Sequence, residues 1–558
     1  MESQYLVSAK KRGRLERSWA EPFRTVVLPL IDEELFRACF DEANGRPNTS
    51  IRLLVGLHLL KEADDLTDAQ VLDALEFNIQ WQYALGVAPA DAHVCEKTLH
   101  NFRHKLMENE RATAVFQRLT EALMRVDGLS SVRQRLDSTH VISDIAVLTR
   151  LGLFTETVTH FLRELRREAA PKLAKRYLDR EGYFSDATRE QAPRRLVVVA
   201  QDLYRLVASF EADAETAAMP AYLLLVRLLA EQCDVVHGDQ GEPGNVLVKE
   251  PKAVGGGSLQ SPHDPDATYG HKGKGYEVQL AETCVAKNPY QVVTVVSVNA
   301  ANVSDQHATV PVVEELVDRG LVPDVLIADT AYGSGENLVA CAELGVRLLA
   351  PVQDPTAAAE KKAVEAEVAP SAVAPTQAVA PDSTSGDEES PRAPLPLGLA
   401  DFTFNATHSE VLRCPSGQAA LSNIVRASLM GFEATFAESA CAACPLAPRC
   451  PTRSPRRADG DRVLAFRDVT AATASRQREQ QTPAFRTDYK LRSGIESTNA
   501  EVKGRHGAGG LRVRGGARVK LAVVLKVMAL NVKRAVQHHT EALREPNGGD
   551  DRLQVEAA

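Results

Sequence analysis

The sequence predicts an α/β fold that is interrupted by insertions and preceded by an all-helical region. Between residues 30 and 127, apolar residues recur at helical spacing behind residues that favour helix starts. From residue 128 onward, short apolar runs that read as strands alternate with helical segments. Such alternation is typical of a sheet covered by helices. A chain of 558 residues is long enough for about two to four domains.

Residues 1–127 are predicted to form a helical DNA-binding domain. Ser50 can cap the apolar helix that follows it, and Thr67 with Gln70 makes a capping-box pattern. A later helix, T-L-H-N-F-R-H-K-L, carries Arg103 and Lys105, which makes both candidates for DNA contact in a helix-turn-helix-like domain. A plain helical bundle with solvated charges explains the same pattern.

Residues 128–354 are predicted to hold the first part of the α/β domain. One strand carries R-L-D-S-T-H-V, and the segments G-Y-E-V-Q-L-A-E-T and Y-Q-V-V-T-V-V-S-V are predicted to form a hairpin. The short strand V-L-I-A-D ends in Asp329 and precedes a helix at residues 336–344. A helical insertion rich in Leu, Arg and Glu occupies about residues 152–260.

Changes in composition divide the remainder of the chain. Residues 355–398 are rich in Ala and Pro without periodicity, which predicts a disordered linker. Residues 399–455 form a Cys-rich module, and residues 456–540 return to helical patterns as the C-terminal part of the α/β domain. The tail, residues 541–558, is predicted to be disordered.

Composition favours a globular protein of the cytoplasm. The chain is 44% hydrophobic and 25% charged, and neither a run of transmembrane length nor a signal peptide is expected. Nine cysteines in this length do not suggest a disulfide scaffold. The net charge is −9, yet residues 486–534 hold twelve Lys and Arg against three Asp and Glu. This asymmetry indicates a polyanionic partner.

The most informative motif is Y-x2-R-x3-E-x6-K, formed by Tyr489, Arg492, Glu496 and Lys503. On one α-helix these positions fall within roughly 60° of each other, because successive residues are about 100° apart. A carboxylate beside two cations and a phenol suits a site that handles a metal and a phosphodiester. Glu501 lies about 140° from Glu496 on the same helix and is expected to be structural.

Two further acids, Asp137 and Asp329, lie on the predicted strands. Strand-end acids and a helix acid can converge in an α/β sheet, and three carboxylates supply the oxygen ligands that two Mg²⁺ ions require. Either aspartate could instead cap a turn or a helix. Asp144, seven residues beyond Asp137, is expected on the opposite strand face and structural.

These motifs together resemble the DDE transposases of bacterial insertion sequences, which have a ribonuclease H-like catalytic domain. The motif Y-x2-R-x3-E-x6-K follows L-D-S-T-H and A-D-T-A-Y in the order of that family. The segments G-R-P, W-Q-Y-A-L-G and T-L-H-N-F-R-H-K-L resemble its helical N-terminal domain, and Y-G-H-K-G-K-G-Y-E-V-Q-L resembles its hairpin. The resemblance therefore implies a ribonuclease H-like mixed sheet with helical and Cys-rich insertions.

The resemblance also implies roles for the site residues. It implies a catalytic triad that binds two Mg²⁺ (or Mn²⁺) ions, namely Asp137, Asp329 and Glu496. It implies that the phosphates of the element's ends are positioned by Tyr489, Arg492 and Lys503. Some related transposases excise through a DNA hairpin with the help of an aromatic side chain, for which Tyr332 is the candidate here.

The Cys-rich module contains the pattern C-x26-C-x2-C-x5-C, formed by Cys414, Cys441, Cys444 and Cys450. Four thiolates can close a tetrahedral structural Zn²⁺ site, and related transposases carry a similar Cys-rich insertion. Reduced cysteines in a loop remain an alternative, and an iron–sulfur cluster is a third option.

A Gly-rich basic loop follows the Y-R-E-K motif. Its cations are predicted to track a DNA backbone, where glycine would let main-chain amides approach phosphates; they are Arg505, Arg512, Arg514, Arg518 and Lys520. A flexible solvated loop is the alternative.

The sequence therefore predicts an insertion-sequence transposase that binds double-stranded DNA at element ends and target, and acts at the bacterial nucleoid. It is expected to catalyse Mg²⁺-dependent strand cleavage and strand transfer, with N-terminal helices recognising the terminal inverted repeats. Serving two ends implies at least a dimer on DNA. The alternatives are a non-catalytic, element-derived DNA-binding regulator and a related nuclease that cuts without joining.

Overall fold

The chain forms two compact units, each assembled from distant segments. The computed structural model describes residues 8–39, 49–178, 188, 190–236, 244–353, 396–427, 430–454 and 460–544, so most of the predicted linker and tail lies outside the described residues. The first unit comprises residues 1–130, 137–304 and 494–558, and the second comprises residues 131–136 and 305–493. These units run across the predicted domain boundaries.

Helices dominate the N-terminal part of the first unit. Ser50 accepts a hydrogen bond from the amide of Leu53 at 3.4 Å, and the capping box of Thr67 and Gln70 is present, so both predicted helix starts are confirmed. The helices are α1 Ala9–Leu15, α2 Ala20–Pro22, α3 Ile51–Ala63, α4 Asp68–Phe77, α5 Ile79–Leu85, α6 Glu96–Met107 and α7 Arg111–Val126.

The described strands between residues 133 and 349 are β1 Arg133–Val141, β2 Cys233–Val236, β3 Asn245–Val248, β4 Thr268–Gly270, β5 Gly273–Thr283, β6 Val293–Ala300, β7 Val325–Ile327 and β8 Arg347–Leu349. Four of these strands, β1, β5, β6 and β7, are those that the sequence predicts, whereas β2 and β3 lie within the predicted helical insertion. In the first unit β5 pairs antiparallel with β6, from Tyr276 opposite Ala300 to Ala281 opposite Val295, and the start of β5 pairs antiparallel with β4. The predicted hairpin is confirmed.

The predicted helical insertion has a hydrophobic core of its own within the first unit. Its helices are α8 Arg150–Glu168, α9 Pro171–Leu178, α10 Ala192–Phe210, α11 Ala214–Ala217 and α12 Pro220–Gln232. The antiparallel pair of β2 and β3 closes this subcore.

A second core joins the N-terminal helices to the sheet through the C-terminal helix, Gly516–Ala542. Within this core, the buried Asn531 side chain accepts from the amide of Val293 at 2.9 Å and donates to its carbonyl at 2.8 Å. Its amide also donates to the hydroxyl of Thr120 on α7 at 3.2 Å. These bonds hold the C-terminal helix against both β6 and α7.

The second unit contains the parallel part of the sheet. Residues 133–135 of β1 pair in parallel with β7, and β7 pairs in parallel with β8. The remaining elements are α13 Thr309–Asp318, α14 Gly335–Glu343, β9 Thr403–Phe404, β10 Val411–Arg413, β11 Ser422–Arg426, β12 Gly431–Phe436, α15 Glu438–Ala442, β13 Arg462–Phe466, α16 Asp468–Glu479 and α17 Pro483–Tyr489. Antiparallel and parallel pairs thus make the sheet mixed, as predicted for a ribonuclease H-like α/β fold behind a helical N-terminal region.

The helix Gly494–Gly504, which we call the signature helix, precedes the C-terminal helix. It is anchored in the first unit by a chain of buried hydrogen bonds. The Thr498 hydroxyl donates to the carboxylate of Glu282 on β5 at 2.6 Å. Arg534 of the C-terminal helix donates to Glu282 at 2.6 Å and to the Thr498 hydroxyl at 2.8 Å. Because Glu282 is fully buried, its carboxylate relies on these hydrogen bonds in place of water. Within the described residues, no helix is long and apolar enough to cross a membrane.

We predict that Thr498→Val lowers the free energy of unfolding of the first unit by about 1–3 kcal/mol, because polar atoms of Glu282 and Arg534 lose a buried partner. The chain's two tryptophans, Trp19 and Trp81, both lie in this unit, so their fluorescence during urea denaturation measures the change. Ser497→Ala, on an exposed position of the same helix, is the control and should change stability by less than about 0.5 kcal/mol. Equal effects of the two variants would contradict the anchoring role.

Candidate active site

The Y-R-E-K motif does not lie on one helix. Tyr489 ends α17, Arg492 lies in a 3₁₀ turn at Lys490–Ser493, and Glu496 and Lys503 lie on the signature helix. A 3₁₀ turn winds about 120° per residue rather than about 100°, so four such residues add roughly 80° of rotation before the signature helix begins. The prediction of one shared helical face is therefore wrong for the four residues together. The boundary between units falls at Ser493, so Tyr489 and Arg492 belong to the second unit.

On the signature helix, Glu496 and Lys503 do share one exposed edge. With Ile495 set at 0°, Thr498 and Val502 lie near the same direction and are buried, whereas Glu496 and Lys503 lie about 80–100° away and are exposed. The predicted pairing of Glu496 with Lys503 on one side of the helix is thus confirmed.

Glu501 occupies the opposite edge of the signature helix. Its carboxylate pairs with Lys533 and, at 3.8 Å, with Arg534 of the C-terminal helix. Burial opposes ionisation of Glu501, but the hydrogen bond and charge of Lys533 and the charge of Arg534 outweigh it and lower the pKa. Glu501 therefore holds the helix in place, as the sequence predicts.

Asp137 lies in β1 and is 8% exposed. Its Oδ2 accepts a hydrogen bond from Nδ2 of Asn499 at 3.1 Å. Asn499 is one turn after Glu496 and about 60° from it, so the Glu496 side of the signature helix faces β1 at this point. Sequence reasoning missed Asn499; the signal available was its helical position between the buried residues and Glu496.

A second polar cluster, around Glu277 of β5, holds β1 beside Asp137. Lys272 donates to the hydroxyl of Ser138 at 2.7 Å and also pairs with Glu277, while His140 lies 3.8 Å from the Glu277 carboxylate. Burial raises the pKa of Glu277, but the nearby His140 and the hydrogen bonds of Lys272 and Ser138 outweigh it and lower the pKa to about 2. This cluster fixes the strand that carries Asp137.

In the second unit, Asp329 lies just beyond the carboxyl end of β7. Its Oδ1 accepts from the amide of Ala331 at 2.8 Å, and its Oδ2 lies 3.8 Å from the Arg492 guanidinium. The following loop is held by Asn337, whose buried amide donates to the carbonyl of Tyr332 at 2.9 Å. Tyr332 itself is fully buried, so the expectation that it stacks on a flipped base is wrong.

The segment that carries Tyr489 and Arg492 is tied to β1 within the second unit. Arg135 donates to the carbonyl of Leu491 at 3.0 Å, and Arg133 lies 3.4 Å from the carboxylate of Asp488. The Tyr489 ring stacks on Phe485 with centroids 5.7 Å apart. These contacts set the position of Arg492 beside Asp329.

The predicted metal site can be judged by whether its side chains carry the oxygen atoms that Mg²⁺ or Mn²⁺ would bind. In the described residues, no group of three or more His, Cys, Asp or Glu side chains is placed to hold a metal ion. In the first unit Asp137 contacts the signature helix through Asn499, whose buried Oδ1 has no hydrogen-bond partner in the described part of the chain, and Glu496 lies one turn earlier on that helix. Carboxylate and amide oxygens are the ligands that Mg²⁺ and Mn²⁺ prefer, so the residues fit such an ion.

The four cysteines of the predicted zinc module line one cavity of about 30 Å³ in the second unit. Gly417 (φ 88°) makes the turn after Cys414, a conformation that glycine adopts without strain. Burial raises the pKa of Cys441, and the neighbouring Cys450, Cys414 and Cys444 raise it further. The sulfurs therefore share one small space, although as placed they do not form a ligand group.

Four of the predicted DNA-contact cations are paired with acids within the first unit. Each pair is given with its shortest N···O distance: Arg103 with Asp68 (2.6 Å), Arg512 with Asp65 (2.8 Å), Arg514 with Asp144 (3.0 Å) and Lys520 with Glu110 (2.7 Å). Arg505 and Arg518 are exposed, and Lys105 is half-buried.

The Gly-rich loop that carries most of these cations is docked on the turn between α3 and α4. The buried His506 ring hydrogen-bonds the carbonyl of Glu62 at 2.9 Å, and Gly507 packs so closely on Asp65 that a Cβ would lie 2.4 Å from its carboxylate. The alternative of a flexible solvated loop is therefore wrong. DNA contact by its cations stays a prediction.

Comparison with known proteins agrees with these features at both ends of the chain. Residues 413–536 match the transposase DDE domain family, and residues 15–105 match the DUF772 transposase domain family. A Rhizobium meliloti protein named "Uncharacterized protein ORF8 in nfe locus" is 29% identical over 158 residues, which cover 25% of this chain and 75% of that protein. No solved structure matches the chain. Both matched families are described as transposase domains, and they match two separate parts of this chain.

We predict that the Glu277 cluster makes the first unit sensitive to acid. Because the pKa of Glu277 falls from 4.5 to about 2 on folding, its contribution is present above pH 4.5 and is lost as the pH falls through about 2. The full effect is on the order of 3 kcal/mol. Urea denaturation between pH 6 and pH 2 should show the advantage of the wild-type protein over Glu277→Gln shrinking with acid. A pH-independent difference would contradict this linkage.

Proposed function

We propose that this protein is a DNA transposase that cleaves DNA strands at the ends of its element and joins them to target DNA. The carrying observation is the bond from Asn499 to Asp137, which turns the Glu496 side of the signature helix toward β1 within a chain that matches transposase families at both ends. Asp137, Asp329 and Glu496 are assigned as the catalytic triad.

The reaction is an in-line displacement at phosphorus. Two Mg²⁺ or Mn²⁺ ions, when bound, would lower the pKa of the attacking water or 3′-hydroxyl and stabilise the leaving oxygen. Asp137, Asp329 and Glu496 would hold them through carboxylate oxygens. Arg492 carries a planar guanidinium that suits bidentate contact with a phosphate, whereas Lys503 supplies a point charge. Tyr489, stacked on Phe485, presents a phenol beside these phosphates.

DNA recognition is assigned to the helical N-terminal region and the docked Gly-rich loop. The acid pairs of Arg512, Arg514 and Lys520 would be exchanged for phosphates on binding, since exposed ion pairs contribute little in water. Arg103 would have to leave a half-buried, bidentate pair with Asp68. Two ends must be cut and joined, so at least a dimer is proposed on DNA. The proposed location in the cell is the cytoplasm, at the nucleoid.

We predict that Asp137→Asn, Asp329→Asn and Glu496→Gln each lower strand cleavage about 10²-fold or more while DNA binding persists. The assay uses DNA with the element's inverted repeats in Mg²⁺, followed on denaturing gels, and binding is followed by gel shift. Glu501→Gln, an acid on the same helix outside the proposed triad, is the control and should retain cleavage.

Three other results of this assay would each contradict part of the proposal. Wild-type cleavage without joined products would favour a nuclease. DNA binding without cleavage in the wild type would favour a regulator. Full activity of any triad variant would remove that acid from the triad.

The four cysteines are proposed to bind a structural Zn²⁺, because their sulfurs line one small cavity and thiolates are its usual ligands. We predict one Zn²⁺ per purified chain by mass spectrometry of metals, lost in the double variant Cys441→Ser, Cys444→Ser. The exposed Cys95 lies in the first unit, so Cys95→Ser is the control and should retain the metal. Equal zinc content in all three proteins would contradict the assignment, and co-purified iron would favour an iron–sulfur cluster.

A further inference from the structure

Only one polar atom of the Asn499 side chain makes a hydrogen bond within the described residues. Its Nδ2 donates to Oδ2 of Asp137 at 3.1 Å, while its Oδ1 is buried and has no hydrogen-bond partner among the described residues. A buried amide oxygen without a partner is destabilising, so such atoms in native proteins usually have a water, an ion or a functional role.

Anchoring of the signature helix does not require Asn499. The helix is held by the buried side chains of Ile495, Thr498 and Val502, and Thr498 alone carries the hydrogen bonds to Glu282 and Arg534. A purely structural residue at position 499 could be apolar, like the buried Ile495 and Val502. The asparagine instead donates to Asp137 and keeps a second polar atom, its Oδ1, buried beside this contact.

The position of Asn499 on the helix joins it to the proposed site. It lies about 60° from Glu496 and about 40° from Lys503, on the side away from Glu501. Its partner Asp137 is only 8% exposed, so an amide contact there constrains the carboxylate strongly. The hydrogen bond occupies one oxygen of Asp137 and fixes the plane of the carboxylate.

We propose that Asn499 is a further determinant of the divalent-cation site, orienting Asp137 through its amide N–H and offering its amide oxygen as an additional hard donor. This inference rests on the proposed function of Asp137 and Glu496. Asn499 is thus assigned to cation affinity rather than to helix stability. Oxygen donors of this kind suit Mg²⁺ and Mn²⁺.

The experiment titrates the full-length protein with Mn²⁺ and counts free ion by electron paramagnetic resonance. Asn499→Ala is expected to raise the Kd for Mn²⁺ about 10-fold or more, the size typical of losing a group that supports a ligand. Its thermal midpoint without metal should stay close to that of Ser497→Ala, the exposed control on the same helix. Strand cleavage by Asn499→Ala should require more Mn²⁺ and recover at saturation.

The isosteric variant Asn499→Asp gives a second readout. It puts a second carboxylate against Asp137, so the metal-free protein should be less stable, and added Mn²⁺ should raise its thermal midpoint more than that of the wild type. Wild-type Mn²⁺ affinity in Asn499→Ala would overturn the assignment of Asn499 while leaving the triad intact. Unchanged Mn²⁺ binding in Asp137→Asn would instead overturn the proposed cation site itself, and the role of Asn499 with it.

Discussion

One buried hydrogen-bonded chain, from Arg534 through Thr498 to Glu282, fixes the rotation of the signature helix. Glu282 is fully buried, and turning the helix would remove the Thr498 hydroxyl from both Glu282 and Arg534, which leaves buried polar atoms without that partner. Every other assignment on the helix depends on that rotation. Glu496 lies on the edge toward β1, and Glu501 lies on the edge toward the C-terminal helix.

The chain crosses from the second unit to the first at two points, and each crossing lies at or close to a proposed site residue. The chain enters the first unit at Asp137, and it enters it again at Gly494, two residues before Glu496. Asp329 and Arg492 belong to the second unit, where they lie 3.8 Å apart. Composition could not predict these units, because it records local changes, whereas the units are defined by contacts between segments hundreds of residues apart.

Local patterns predicted most elements correctly. The caps at Ser50 and Thr67 and the β5–β6 hairpin depend on neighbouring residues, so the sequence contains their cause. The break in the Y-R-E-K helix was not predictable from spacing, since apolar periodicity does not distinguish a short 3₁₀ turn from an α-turn. Tyr332 was misjudged because burial within a loop leaves no periodic signal.

The other features that the sequence could not predict are contacts between residues far apart in the chain. Asn499 meets Asp137 across 362 residues, and Arg512 meets Asp65 across 447 residues. A basic run therefore predicts positive charge but not the acids that already pair with it. An excess of positive charge in a segment indicates a class of partner, but the fold determines which of its cations already pair with an acid.

The central proposal is that Asp137, Asp329 and Glu496 serve one divalent-cation site. Replacing Mg²⁺ by Fe²⁺ and generating hydroxyl radicals cuts the backbone near the bound ion, and peptide mapping locates the cuts. The expected result is cutting beside all three acids, suppressed by excess Mg²⁺. Cutting beside only one of them, or at sites that Mg²⁺ does not protect, would contradict the shared site.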